Sequence, residues 1–259
     1  MAAFTGDDLQ GSVFDDVDLR GSRFRGVDLR GAHLRSVDLS GALMRGVDLI
    51  DVNIYGDIDG LIINGVEVEP LVTAELDRRF PLRPKMRPTD PAGFLEAWGI
   101  LEDLWDGTVL RAQQMPPEWL DESVDNEWSF IETLRHLVFA TDSWIRRAIL
   151  GDPSPWDALG LPWDDMADTP GVPRDREVQP SLDVMLELRH DRMLGVRHVI
   201  EGLTDASLAD DTVPVEGPGW PEPRSYPVRQ CLRIILNEEW EHRLFAERDL
   251  NVLATRNNN

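Results

Sequence analysis

The sequence has a single cysteine, Cys231, a shortage of basic residues and no long apolar run. One thiol cannot form an internal disulfide, which agrees with a reducing compartment. Lys and Arg number 26 against 48 Asp and Glu, for a net charge of -22. That balance argues against binding to a phosphate backbone, which needs clustered cations, and against anionic membrane surfaces. Small molecules and proteins are the partners it favours. No stretch reaches the roughly 20 apolar residues of a membrane span. The opening MAAFTGDDLQ has neither a basic start nor an apolar segment, so the expected location is cytoplasmic. With 259 residues, 42% of them hydrophobic, the chain can hold one large domain or two small ones.

What is present begins with a repeat of five. Phe4, Leu9, Phe14, Leu19, Phe24, Leu29, Leu34, Leu39, Met44, Leu49 and Ile54 recur at every fifth position, and a small or branched residue stands two places before most of them. This period fits neither helix nor strand; it suits a chain that turns a corner every five residues and stacks its apolar residues in a solenoid. Over about residues 2–56 the pattern resembles the pentapeptide-repeat family. The resemblance implies a short right-handed quadrilateral β-helix with the apolar residue and its small companion inward. The outward positions pair charges, Asp18 with Arg20 and Asp28 with Arg30, in exposed pairs that contribute under about 1 kcal/mol each. The module reads as structural or self-associating, with a homodimer as the assembly to expect. Mimicry of DNA by an acidic solenoid is the sharper alternative, but two or three coils make a short rod for it. His33 is expected to be solvated.

Asn64-Gly65 between branched apolar residues signals a type I′ hairpin, expected to cap the solenoid. A short helix from Pro70 to about Phe80 and a proline-broken linker, Leu82 to Pro91, follow. The domains expected are therefore 1–56, 57–89 and 90–259. Four helices fill the last: Asp90-Pro91 to about Met115, about Asn126 to Leu150, about Ser181 to Leu203, and Tyr226-Pro227 to about Ala254. Four helices of this length imply a four-helix bundle, whose sites are built from facing side chains. Two long connections, Gly151 to Pro180 and Asp210 to Pro227, carry Trp156, Trp163 and Trp220 and serve as lids or as covers for the bundle ends.

The last helix holds the chemistry. Val228, Cys231, Leu232, Ile235, Phe245 and Leu253 fall on one side at helical spacing, with Glu238 and His242 in the middle of it. A buried carboxylate without a partner costs several kcal/mol or takes up a proton. Glu and His four residues apart can point at one atom, and a metal ion satisfies both. Cys231, seven residues earlier and about 10 Å along the axis, is too far to join them and reads as core. His190 and His198 read as exposed. His136, by spacing alone, lies off the apolar stripe of Phe130, Leu134, Leu137, Val138 and Ile145 and reads as a surface histidine.

WSFIETLRHL (128–137) together with NEEWEHRLFAERDL (237–250) resembles the DinB-like superfamily of four-helix bundles, which includes thiol-dependent S-transferases and a mycothiol-dependent isomerase. The resemblance spans about residues 90–254. It implies that His136, Glu238 and His242 hold a divalent metal, zinc or nickel, with Glu then His at the later pair as in the isomerase type. Three ligands leave one position open on a tetrahedral ion, as in catalytic sites. The family favours a low-molecular-weight thiol there, mycothiol or another, activated for transfer to a small electrophile; water there gives a metal-dependent hydrolase instead. Glu239 and Asp249 are the candidates for proton transfer, and Arg135 and Arg224 for a charged thiol, with Trp128, Trp144 and Trp163 lining the pocket. The reading from another class is a non-enzymatic interaction scaffold built on the solenoid.

Overall fold

The structure, a computed structural model, describes residues 4–6 and 8–256. It divides into two compact units, Met1–Asp51 and Val52–Asn259.

In the first unit the five-residue period appears as backbone corners. Positive φ recurs at Gly6, Gly11, Asp16, Gly21, Gly26, Gly31, Ser36, Gly41, Gly46 and Asp51. Glycine adopts this region without penalty, and Asp and Ser are short polar residues that tolerate it at single corners. Every second corner is closed by a turn bond, in which the amide of Ser12, Ser22, Ala32 or Ala42 donates to the carbonyl three residues earlier at 2.9–3.0 Å. With glycine third in the turn and φ near +74°, these are type II turns. Asp8, Asp18, Asp28 and Asp38 each accept the backbone N–H two residues on. The expected surface pairs are present: Arg20 lies 2.6 Å from Asp18 and Arg30 2.6 Å from Asp28. His33 is exposed.

The burial expected of the apolar row is not found. Leu19 keeps 43% of its surface exposed and Leu29 58%, and no strand occurs among the described residues of this unit. Corners need only neighbours in sequence, whereas covering the row needs successive coils to stack and pair. The structure forms the first and not the second.

In the second unit, β1 (Ile62–Ile63) pairs antiparallel with β2 (Val66–Glu67) through Asn64 and Gly65, at φ 52° and 83°. Two left-handed central residues make the type I′ turn that matches strand twist. Helix α1 (Glu69–Arg79) has Pro70 in its first turn. Helix α2 (Pro91–Ala112) is capped by Asp90, whose side chain accepts from the Gly93 N–H at 2.9 Å. Helix α3 (Phe130–Thr141) opens on a capping box between Ser129 and Glu132 and runs on as a π-helix, Asp142–Ile149. Helix α4 (Leu182–Glu201) is capped by Ser181, α5 (Asp205–Ala209) is one short turn, and α6 (Val228–Arg256) is the longest helix.

The four long helices enclose one core: α2 packs on α6 and α4, and α3 on α4 and α6. Phe94, Trp98, Leu101, Val196, Ile235 and Leu236 form one part of it, and Trp105, Leu134, Leu137, Met185 and Leu250 another. Full burial of a Leu or Phe contributes about 1.5–3 kcal/mol each. Two buried ion pairs cross the core. Arg189 of α4 donates to both oxygens of Glu239 at 2.8 and 2.7 Å, and Arg192 donates to Asp142 at 2.6 Å. Burial pushes the Asp142 carboxyl above its ordinary range, opposed by the Arg192 contact.

Both long connections are tied down by buried arginines of the second helical segment. Arg135 donates to the carbonyls of Leu159, Val178 and Asp175. Arg147 donates to those of Pro153, Val215, Gly217 and Pro221, and so joins the two connections. Trp163 meets Trp220 with ring centroids 5.0 Å apart. Gly219, at φ 146°, lies against this knot; a Cβ there would collide with the Trp156 ring and stand 2.9 Å from the Arg147 guanidinium. No described helix is long and apolar enough to cross a membrane.

Candidate metal centre

Helix α3 presents His136, and α6 presents Glu238 and His242 one turn apart on one face. His136 Nε2 lies 3.3 Å and His242 Nε2 3.0 Å from the same oxygen, Glu238 Oε2. One nitrogen or oxygen from each of the three residues falls within 4.8 Å of the others. The imidazole rings stand 4.8 Å apart, centroid to centroid. His136 is buried; Glu238 and His242 are half-buried.

His136 is oriented by the first long connection. Its Nδ1 is 3.0 Å from the carbonyl oxygen of Leu161, which can only accept, so the hydrogen-bond network assigns the proton to Nδ1. A neutral ring then turns the lone pair of Nε2 toward a carboxylate oxygen. Two lone pairs facing each other at 3.3 Å call for a cation between them, a proton or a metal ion. Two ligands at about 2.0–2.1 Å from a tetrahedral centre lie about 3.3–3.4 Å apart, the spacing of the His136–Glu238 edge, while the His242–Glu238 edge is 3.0 Å. A backbone carbonyl on the far nitrogen is the usual support of a ligating histidine. The electrostatics agree. Burial lowers the His136 pKa, and the neighbouring His242 acts in the same direction, so the ring is held neutral, as a ligand must be. Burial by itself raises the Glu238 carboxyl, but the two imidazoles against its Oε2 outweigh that and hold it below the usual carboxylate range.

Aromatic rings wall the site. Trp128 stands 4.5 Å from the His136 ring and stacks on His242 at 5.7 Å and 21°. Its Nε1–H donates to Asp164 at 3.2 Å, and Asp164 pairs with Arg176 at 2.7 Å. Phe139 lies 6.1 Å from His136 and Phe245 6.3 Å from His242. Phe245, expected in the core, is instead 37% exposed.

The other residues expected at the site lie elsewhere. Glu239 follows Glu238 but points about 100° around the helix, into the core, where Arg189 takes both its oxygens. Asp249 is seven residues beyond His242, about 10 Å along the axis, and accepts from Arg248 at 2.6 Å. Arg135 is fully buried on the loop carbonyls, and Arg224 lies over the Tyr226 ring at 4.8 Å. Trp163 packs on Phe139 at 6.2 Å, and Trp144 on Tyr226 at 5.4 Å. Cys231 is buried in the core, where burial raises its thiol to about 11. His190 and His198 are exposed.

Reading by periodicity alone missed the burial of His136. One face of α3 packs on α4 and α6, and the chain around Leu161 covers the other, so most of the helix is buried. Phe139, one turn after His136, was within reach of the sequence; the Leu161 carbonyl carries no sequence signal at all.

Comparison with known families accounts for both units. The pentapeptide-repeat model, which describes eight copies, matches residues 2–35 and again 12–51. No curated protein and no solved structure matches the chain. The DinB superfamily model matches residues 100–246, over half of the chain, and takes in His136, Glu238 and His242; the chain belongs to the DinB superfamily.

Proposed function

We propose that this protein is a metal-dependent enzyme that holds a divalent ion, zinc or nickel, on His136, Glu238 and His242 and uses it to activate a low-molecular-weight thiol for transfer to a small electrophile. The observation that carries this reading is the convergence of two imidazole nitrogens on one carboxylate oxygen, at 3.3 and 3.0 Å. The ion, when bound, supplies the charge that keeps a thiol deprotonated near neutral pH, so a chain whose one cysteine is buried in the core still has a nucleophile. His136 is held neutral and in register by the Leu161 carbonyl, and Glu238 offsets the ion's charge. Trp128, Phe139 and Phe245 flank the two imidazoles with apolar rings. The test is turnover of a panel of electrophiles by zinc- or nickel-loaded protein, with and without mycothiol or a simpler thiol. Thiol-dependent turnover that disappears in Glu238→Gln supports the reading. Turnover that proceeds without any thiol replaces it with hydrolysis.

The repeats support a second role. Their corners recur every five residues, as those of a right-handed quadrilateral β-helix do, and their apolar row is exposed. A second copy of the chain that completes the stack would cover that row, which makes self-association a non-enzymatic role for this unit. Sedimentation velocity tests it: the dimer forms in the intact chain and is lost in Leu19→Glu, Leu29→Glu.

A further inference from the structure

An open groove of about 480 Å³ runs along the outer face of α6. Arg229, Gln230, Arg233 and Asn237 line it, and it ends on Glu238. Arg229, Gln230, Arg233 and Asn237 fall within about 100° of the helix circumference, so one face of one helix carries two cations and two amides; Glu238 lies about 100° beyond Asn237, at the edge of the groove. Among the described residues neither arginine is in an ion pair, in a chain with a net charge of -22. Arg229 Nε is buried with no hydrogen-bond partner. Arg233 donates through Nε and one terminal nitrogen to the Pro88 carbonyl, at 3.1 and 2.8 Å, which fixes the plane of its guanidinium along the groove.

A guanidinium without a carboxylate partner, its plane fixed, is a receptor for a planar anion, and a carboxylate matches its fork. Gln230 and Asn237 add amide donors on either side. From Arg233 to Glu238 the helix rises about 7–8 Å and turns about 140°, so the arginines and the metal-site carboxylate leave it in different directions. We infer that this groove binds a small organic acid by its carboxylate, on Arg229 and Arg233. The inference does not depend on the metal-site reading.

The test is binding of succinate to the full-length protein by calorimetry, with neutral succinamide as the control and zinc titrated separately. Saturable succinate binding, absent for succinamide, that weakens at least tenfold in Arg229→Gln, Arg233→Gln is the expected result. Each single variant should lose less, and Arg233→Lys should lose less than Arg233→Gln. Circular dichroism at the assay temperature checks that the variants are folded, because Arg229 Nε is buried and Arg233 holds the Pro88 carbonyl. Succinate and succinamide binding alike, or undiminished succinate binding in the folded double variant, overturns the inference. Zinc uptake by the double variant should remain at the wild-type level. If the wild type takes up no zinc but succinate binding still depends on the arginines, the groove stands and the metal reading falls.

Discussion

Leu19 and Leu29 in the repeat unit keep 43% and 58% of their surface exposed; Leu101 and Leu134 in the helical unit keep 0% and 1%. Both sets recur with a strict period, and the difference lies in what each period needs to become structure. Every second corner is complete within five residues: a left-handed Gly, a turn bond three residues back and an aspartate taking the amide two residues on. The helical stripes are worthless until another helix meets them, and in the second unit four helices do. Local chemistry therefore sets the backbone of the first unit, and long-range packing sets both core and site in the second.

Substitutions sharpen that contrast in order of size. The largest loss is expected from Arg189→Ala, which leaves Glu239 buried and unpaired; about 3–5 kcal/mol should disappear from the unfolding free energy in urea. Leu101→Ala should cost about 2–5 kcal/mol in the same measurement, whereas Leu19→Ala should stay within about 0.5 kcal/mol. Equal losses at the two leucines would break the comparison. Gly219→Ala places a methyl against Trp156 and Arg147 and should cost about 1–3 kcal/mol, with faster proteolysis of the two long connections as its signature. Arg20→Ala, which removes a solvent-exposed pair, should leave the melting curve almost unmoved.

The same distinction explains what was legible in the sequence. The Asn64-Gly65 turn, the Asp90 and Ser181 caps and the corner of every repeat are local, and each was readable from a few adjacent residues. The helical segments followed from their stripes, although nothing signalled that Asp142–Ile149 winds as a π-helix. Glu238 and His242 stood out as polar residues on an apolar face. His136 did not, because its burial comes from α4, α6 and a connection some 25 residues away. Resemblance, not spacing, pointed to it. Glu239 and Arg135 were misjudged for a related reason: their partners, Arg189 and the carbonyls of Leu159, Asp175 and Val178, are distant in sequence, and a charge looks free until its partner is found.

The central claim is that His136, Glu238 and His242 hold one divalent ion. Elemental analysis of untagged protein purified without chelator, beside a His136→Ala, His242→Ala double variant, addresses it directly. The account predicts about one equivalent of zinc or nickel per chain in the wild type, none in the variant, and helical circular dichroism in both. Wild-type protein that holds no metal even after reconstitution with zinc or nickel would contradict it, and would leave the contact between Glu238 and the two imidazoles as a proton-bridged structural cluster.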